Sequence, residues 1–184
     1  METIFALQSV KKVIGVEETP HTCLLARTLA PSQEDATLVL ACCQTDPARV
    51  AGEPLPAGEG GVYFTLILKP QPVLDTAQLS LALSNAVGDA LEKIFELKTK
   101  LLPQEGVAVW DKPARSYKKI ADISAEKTED GTYLLSAVIA LNNRLPAPLG
   151  KTWTTLKKII GSETSKELFL DAVLDNFWKE YAFL

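Results

Sequence analysis

Apolar and polar positions alternate along this chain in runs whose period predicts the element each run forms. Ala36–Cys43 (ATLVLACC) is almost wholly apolar over the length of a strand, the pattern of a strand covered on both faces. Val62–Lys69 (VYFTLILK) is rich in aromatic and β-branched residues and is closed by Pro70, so it predicts a second buried strand. Shorter runs at 2–7 and 12–17, divided by a polar turn around Lys11 and Lys12, predict two more. Further strands are expected at 98–102, 107–110, 118–124 and 133–141. Thr128–Gly131 (TEDG) marks a hairpin between the last two, because Asp-Gly suits a turn that needs positive φ.

Helical periodicity is clearest over residues 75–96. Leu79, Leu83, Ala86, Ala90 and Ile94 form one apolar stripe, widened by Val87, Leu91 and Phe95, and Asp75 or Thr76 can cap its start. A shorter helix is predicted from Thr19-Pro20 to about Ala30, with Thr19 as cap and Pro20 in the first turn. The chain ends in another, where Thr164 and Glu167 match a capping box and Leu170, Leu174, Phe177, Trp178 and Tyr181 share a face. Residues 44–61 hold prolines, acids and glycines in an irregular stretch, and a loop of that length in a compact domain is usually functional. The whole predicts an α+β domain, a mixed β-sheet backed by helices, spanning 1–184 as one unit.

Composition narrows the function classes. Of 184 residues, 47% are hydrophobic and 23% charged, so the chain can bury a core. The net charge of -4 argues against a surface built to neutralise nucleic-acid phosphates, although it leaves room for one local basic pocket. No run reaches the roughly 20 apolar residues of a membrane span, and the start lacks the order of a secretory signal. Three cysteines, two of them adjacent, and one histidine give neither a disulfide framework nor a zinc pattern. Cys42 and Cys43 read as small buried groups, and the chain as a reduced, cytoplasmic protein without a metal site.

Several segments, in order, resemble the catalytic domain of biotin protein ligases, part of a fold shared with lipoyl ligases and lipoyl transferases. LVLACCQT resembles the family strand that ends in Gln-Thr before a Gly/Arg-rich biotin loop. GVYFTLILKP at 61–70 is similar to the strand that follows, and LSLALSNAVGDALEKI at 79–94 to the next helix. KKIADISAE at 118–126 resembles the strand that carries the key lysine, VIALNN at 138–143 the later Ile-Gly-Ile-Asn segment, and 152–181 the closing stretch and helix. Each piece is weak alone; their order is the specific signal.

The resemblance implies an ATP-dependent biotin–[carboxyl-carrier protein] ligase working through biotinyl-adenylate. Its cofactors would be ATP, with magnesium, and biotin; its partner would be the biotin-accepting carrier domain of a carboxylase. Homodimerisation through an edge strand is common among such ligases; nucleic acid and membrane are not expected as partners. Lys119 takes the catalytic position. Gln44, Thr45, Arg49, Gly52, Gln104 and Asn142 take substrate-binding positions. No DNA-binding domain is expected before the domain and no small β domain after it. Three departures stand out. The family loop Gly-Arg-Gly-Arg-Arg-Gly is replaced by DPARVAGEPLPAGEG, in which Arg49 and Gly52 alone match and Asp46, Glu53 and Glu59 add negative charge. The family motif Lys-Trp-Pro-Asn-Asp is matched either by LLPQE at 101–105 or by VWDKP at 109–113, the first preferred. Asp122 stands where the family has glycine.

Each of these residues also has a plainer reading. Lys118 and Lys119 can be a solvated dibasic pair, with Lys118 facing water; Gln44 and Thr45 can end a strand; Asn142 and Asn143 can be turn residues. Trp110, Trp153 and Trp178 read as packing groups. A binding module for biotin, lipoate or a carrier protein, without ligase activity, and a lipoate or octanoate transferase stay open as alternatives.

Overall fold

The computed structural model describes residues 10–46, 55–71, 73–103 and 105–184. The predicted strand at 2–7 and the candidates Arg49, Gly52 and Gln104 lie outside them. Strands β1 (Lys12–Thr19), β2 (Thr37–Gln44), β3 (Val62–Leu68), β4 (Thr99–Leu102), β5 (Gly106–Asp111), β6 (Ser116–Lys127) and β7 (Tyr133–Ile139) form a seven-stranded sheet in the order β1-β2-β3-β7-β6-β5-β4. Only the β1–β2 pair is parallel, which requires the crossover helix α1 (Thr22–Leu29) between them. The other helices are α2 (Thr76–Phe95), α3 (Leu156–Ile160) and α4 (Lys166–Tyr181).

Because side chains alternate along a strand, every β-sheet has two faces with separate destinies. One face, with Leu38, Leu40, Phe64, Leu66, Leu135 and Ile139, packs under α2 and α4 and makes the main core. The expected α2 stripe forms this contact through Leu79, Leu83, Ala86, Val87, Ala90 and Leu91, whereas Ile94 in the last turn is exposed. The other face is shared. Its half near Ile14, Val39, Ile67 and Leu134 is covered by Ala26 and Ala30 of α1. Its other half carries the cross-strand row Val16–Ala41–Tyr63–Val138–Asp122, over which Leu55, Leu149 and Trp153 pack in place of α1.

Two helix starts differ from expectation. Thr19 stays in the ladder, opposite Gln44, so α1 begins two residues beyond Pro20 and His21 is its cap, Nδ1 accepting from the Cys23 N–H at 3.2 Å. Ser165, not Thr164, caps α4: its Oγ accepts from the Leu168 N–H, while the Thr164 backbone is held by Asn142. Asp75 caps α2 as one of the two expected residues. Among the described residues no helix is long and apolar enough to cross a membrane. Cys42 is exposed and Cys43 half-buried, against the expectation of two buried groups; the pairing of β2 with β3 ends at Ala41, before both of them.

Candidate functional site

This half of the second face is the floor of the candidate site. Ala41, Tyr63 and Val138 supply its apolar base, and Leu55, Leu149, Ala140 and Trp153 form one buried cluster with them. Leu55 belongs to the end of the irregular 44–61 segment and packs into this cluster. Tyr63 ties it further, its hydroxyl donating to the Gly58 carbonyl at 2.8 Å. Burial pushes the Tyr63 pKa up, which keeps that hydroxyl a donor. Gly60, at φ +92, lies so close to 142–143 that a Cβ would meet the Asn143 nitrogen at 2.8 Å. Its carbonyl accepts from the Asn142 N–H at 2.8 Å.

Lys119 reaches this floor through an irregularity of β6. Ala108 pairs with Lys119 while the adjacent Val107 pairs with Ala121, so Ile120 is an extra residue on β6. Without it, Lys119 and Asp122 would point to opposite faces; with it, parity switches and both lie on the face that Trp153 packs against. Trp153 is brought alongside because residues 152–154 continue the sheet where β7 ends. The Lys119 N–H donates to the Thr152 carbonyl at 3.0 Å and the Thr154 N–H to the Lys119 carbonyl at 2.9 Å. The ammonium then lies 5.4 Å from the centre of the Trp153 ring, a cation–π placement, and 2.6 Å from Asp122 Oδ1. With side-chain exposures of 11% and 5%, this pair is withdrawn from water.

The neighbouring lysine goes elsewhere. Lys118 pairs with Val109 on the opposite face, donates to the Gly150 carbonyl at 2.8 Å and lies 4.0 Å from buried Asp111. The solvated reading of Lys118 is therefore corrected: one residue of separation put it on the other side of the sheet, where a carbonyl and a carboxylate hold it.

Gln44 ends β2 at the border between α1 and the site. Its Oε1 accepts from the Thr22 N–H at 2.9 Å and from Thr22 Oγ1 at 3.3 Å, while its buried Nε2 has no protein partner. Thr22 Oγ1 also meets Thr65 Oγ1 at 3.0 Å, which meets Ser136 Oγ at 2.9 Å, so a buried polar chain runs under α1. Thr45 continues the ladder, its N–H donating to the Thr19 carbonyl. Asn142 is fully engaged: Nδ2 donates to the Thr164 carbonyl at 2.7 Å and Oδ1 accepts from its N–H at 3.0 Å. The adjacent Asn143 is buried with both amide atoms unpartnered, as is the Thr154 hydroxyl. Buried polar atoms without partners are rare enough that these mark hydrogen bonds available to a ligand. Glu105 lies beside β6 near Asp122, the Ile123 N–H donating to its carbonyl, whereas Trp110 packs edge-on against Tyr117.

His21 joins the site from the α1 cap, within the electrostatic reach of Asp122 and Asp46. Sequence reasoning did not mark it, because Thr19-Pro20 drew the cap two residues upstream. Trp153 and Asn143 were read as packing and turn residues, and neither carries a local signal of its role. Among the described residues no group of three or more His, Cys, Asp or Glu could hold a metal ion.

Arranged in this way, the site offers one desolvated cation, an aromatic wall, an apolar floor and free amide groups. That set fits an elongated, largely apolar molecule with an anionic end and a polar head.

No protein-family model matches the sequence. Solved structures do match. Biotin protein ligase from Aquifex aeolicus, in complex with biotin and ATP, is similar over 94% of this chain and 71% of its own, at 26% identity and a TM-score of 0.79. Biotin acetyl coenzyme A carboxylase synthetase from Helicobacter pylori, with bound biotinylated ATP, is similar over 92% and 74%, at 16% identity and a TM-score of 0.65. A bi-partite lipoate protein ligase from Thermoplasma acidophilum covers 94% and 84%, at 12% identity and a TM-score of 0.64. The chain carries the fold of the biotin and lipoate protein ligase superfamily.

Proposed function

We propose that this chain is an ATP-dependent ligase that activates biotin, or a closely related carboxylic acid, and transfers it to a lysine of a carrier domain. The observation that carries the reading is the Lys119 ammonium, set by the β6 bulge above an apolar floor and beside Trp153. In the first step a carboxylate oxygen attacks the α-phosphorus of ATP, forming an acyl-adenylate and releasing pyrophosphate. Negative charge gathers on the α-phosphate oxygens, and a fixed cation in a site with little water stabilises it most effectively. Magnesium would accompany the nucleotide. In the second step the carrier lysine attacks the acyl carbon and AMP leaves. Ala41, Tyr63, Val138 and Trp153 would hold the apolar body of the acid. Gln44 Nε2 would donate a hydrogen bond to its polar end and the Asn143 amide would donate through Nδ2 and accept through Oδ1, with Thr45, Arg49, Gly52, Gln104 and Asn142 as the further substrate-side positions. The similarity to ligases bound to biotin and ATP supports this reading.

The test is incubation with ATP, labelled biotin and a carboxylase carrier domain, following label on the carrier and pyrophosphate released. Transfer is expected, and Lys119→Met should slow it by about 100-fold or more, the usual scale for removing one donor to a developing anion. A folded wild-type protein that releases no pyrophosphate overturns the reading. Binding without catalysis is the second reading, and the Lys119–Asp122 contact favours it, since the ammonium is already engaged. It predicts calorimetric binding of biotinyl-adenylate with no adenylation.

A further inference from the structure

The carboxylate of Asp122 has no step in the chemistry above, yet it already engages the Lys119 ammonium, holding one of its three donors at 2.6 Å and neutralising its charge. The contact is built rather than incidental. The register shift of β6 is what turns both side chains to one face. Asp122 itself is pinned between Gly106 on one side and Val138 on the other. Lys119 is pinned by its two backbone bonds to Thr152 and Thr154. Gly106 has φ +118, and a Cβ there would fall on the Ala121 carbonyl, so the backbone opposite the bulge is reserved for glycine. Neither partner can drift into water at exposures of 11% and 5%.

We propose that Asp122 is an internal counter-anion, so that anionic ligands bind to Lys119 by exchange. The carboxylate holds the ammonium beside the Trp153 ring. A phosphate or carboxylate oxygen of the ligand then takes the place of Asp122 Oδ1. The exchange makes the net gain from ligand binding smaller than a free ammonium would give, because one close charge contact is given up for another. It also spares the ligand-free protein an unpaired buried cation. Asp122 is thus a residue that sets affinity, acting through Lys119 rather than on the reacting atoms. The inference rests on Lys119 as the anion-contacting group of the proposed function.

Calorimetric titration with biotinyl-adenylate of the wild type, Asp122→Asn and the double variant Lys119→Met/Asp122→Asn tests it. Asp122→Ser serves in place of Asn if thermal unfolding shows the latter to be misfolded. Asp122→Asn should bind about tenfold more tightly than wild type, a gain of the size expected from one removed charge in a partly screened site. The double variant should lose that gain. Equal or weaker binding by the folded single variant, or a gain that survives loss of Lys119, overturns the proposal. Inorganic pyrophosphate gives a second arm, read by the NMR signal of the Lys119 ε-methylene. If no protein binds the adenylate, the ligase reading alone fails. The exchange is then sustained by a Lys119 signal that moves at lower pyrophosphate concentration in Asp122→Asn than in wild type, and overturned by one that moves alike in both or in neither.

Discussion

His21 caps α1 with Nδ1 as acceptor, a role that only an unprotonated Nδ1 can fill. Burial lowers its pKa below the ordinary 6.5, and the negative charges of Asp122, Asp46 and Glu126 offset that only in part. The folded state therefore prefers the neutral ring more than the unfolded chain does. Its contribution to stability is complete above about pH 6.5 and is lost as the pH falls from there through the depressed folded value. His21→Asn keeps a capping oxygen and removes the titration. The loss of Tm between pH 7 and pH 5 should be smaller in that variant than in wild type; equal losses would show that His21 does not govern this range. At the same scale the plain alternatives resolve by geometry: Lys118 and Lys119 are chemically identical neighbours, and strand parity alone separates their fates.

At the scale of elements, hydrophobic period was a reliable guide wherever a segment buries a face against another. β2, β3 and α2 lie within a residue or so of their expected bounds because each is a strong, uninterrupted pattern. The bulge in β6 carries no such pattern. Lys-Lys-Ile-Ala-Asp reads as alternation in either register, and the extra residue becomes visible only against β5. Gly106 is the element's fixed point: Gly106→Ala should lower unfolding stability by about 2 kcal/mol or more, because the backbone must leave both a positive φ and the Ala121 carbonyl. Urea denaturation measures this. If the register slips in the folded variant, adenylate binding should fall with it; unchanged stability would mean that the bulge tolerates a side chain.

For the molecule as a whole, the sheet divides two tasks. The face under α2 and α4 holds the fold together, with Leu170, Leu174 and Phe177 of α4 fully covered. The opposite face is split between α1 and the candidate site. Mutations on the first face should therefore affect stability and leave the site unaltered in molecules that remain folded. Phe177→Ala is expected to remove about 3–5 kcal/mol, the range for a buried aromatic truncated in a core, with ligand affinity per folded molecule unchanged. Parallel melts and titrations check both halves, and a changed affinity would show that the two faces are coupled.

The chain by itself determined its strands, its long helices, the mixed sheet and the order of segments that points to a ligase fold, since these follow from local period and from pattern along one dimension. It marked Lys119 and Asp122 as neighbours in sequence but could not say that they meet. Which face each side chain takes, which polar groups are left without partners, and that a histidine caps the helix at the site are decided by pairing between distant strands. A one-residue shift in that pairing reverses the direction of every side chain beyond it, and no window of local sequence records the shift.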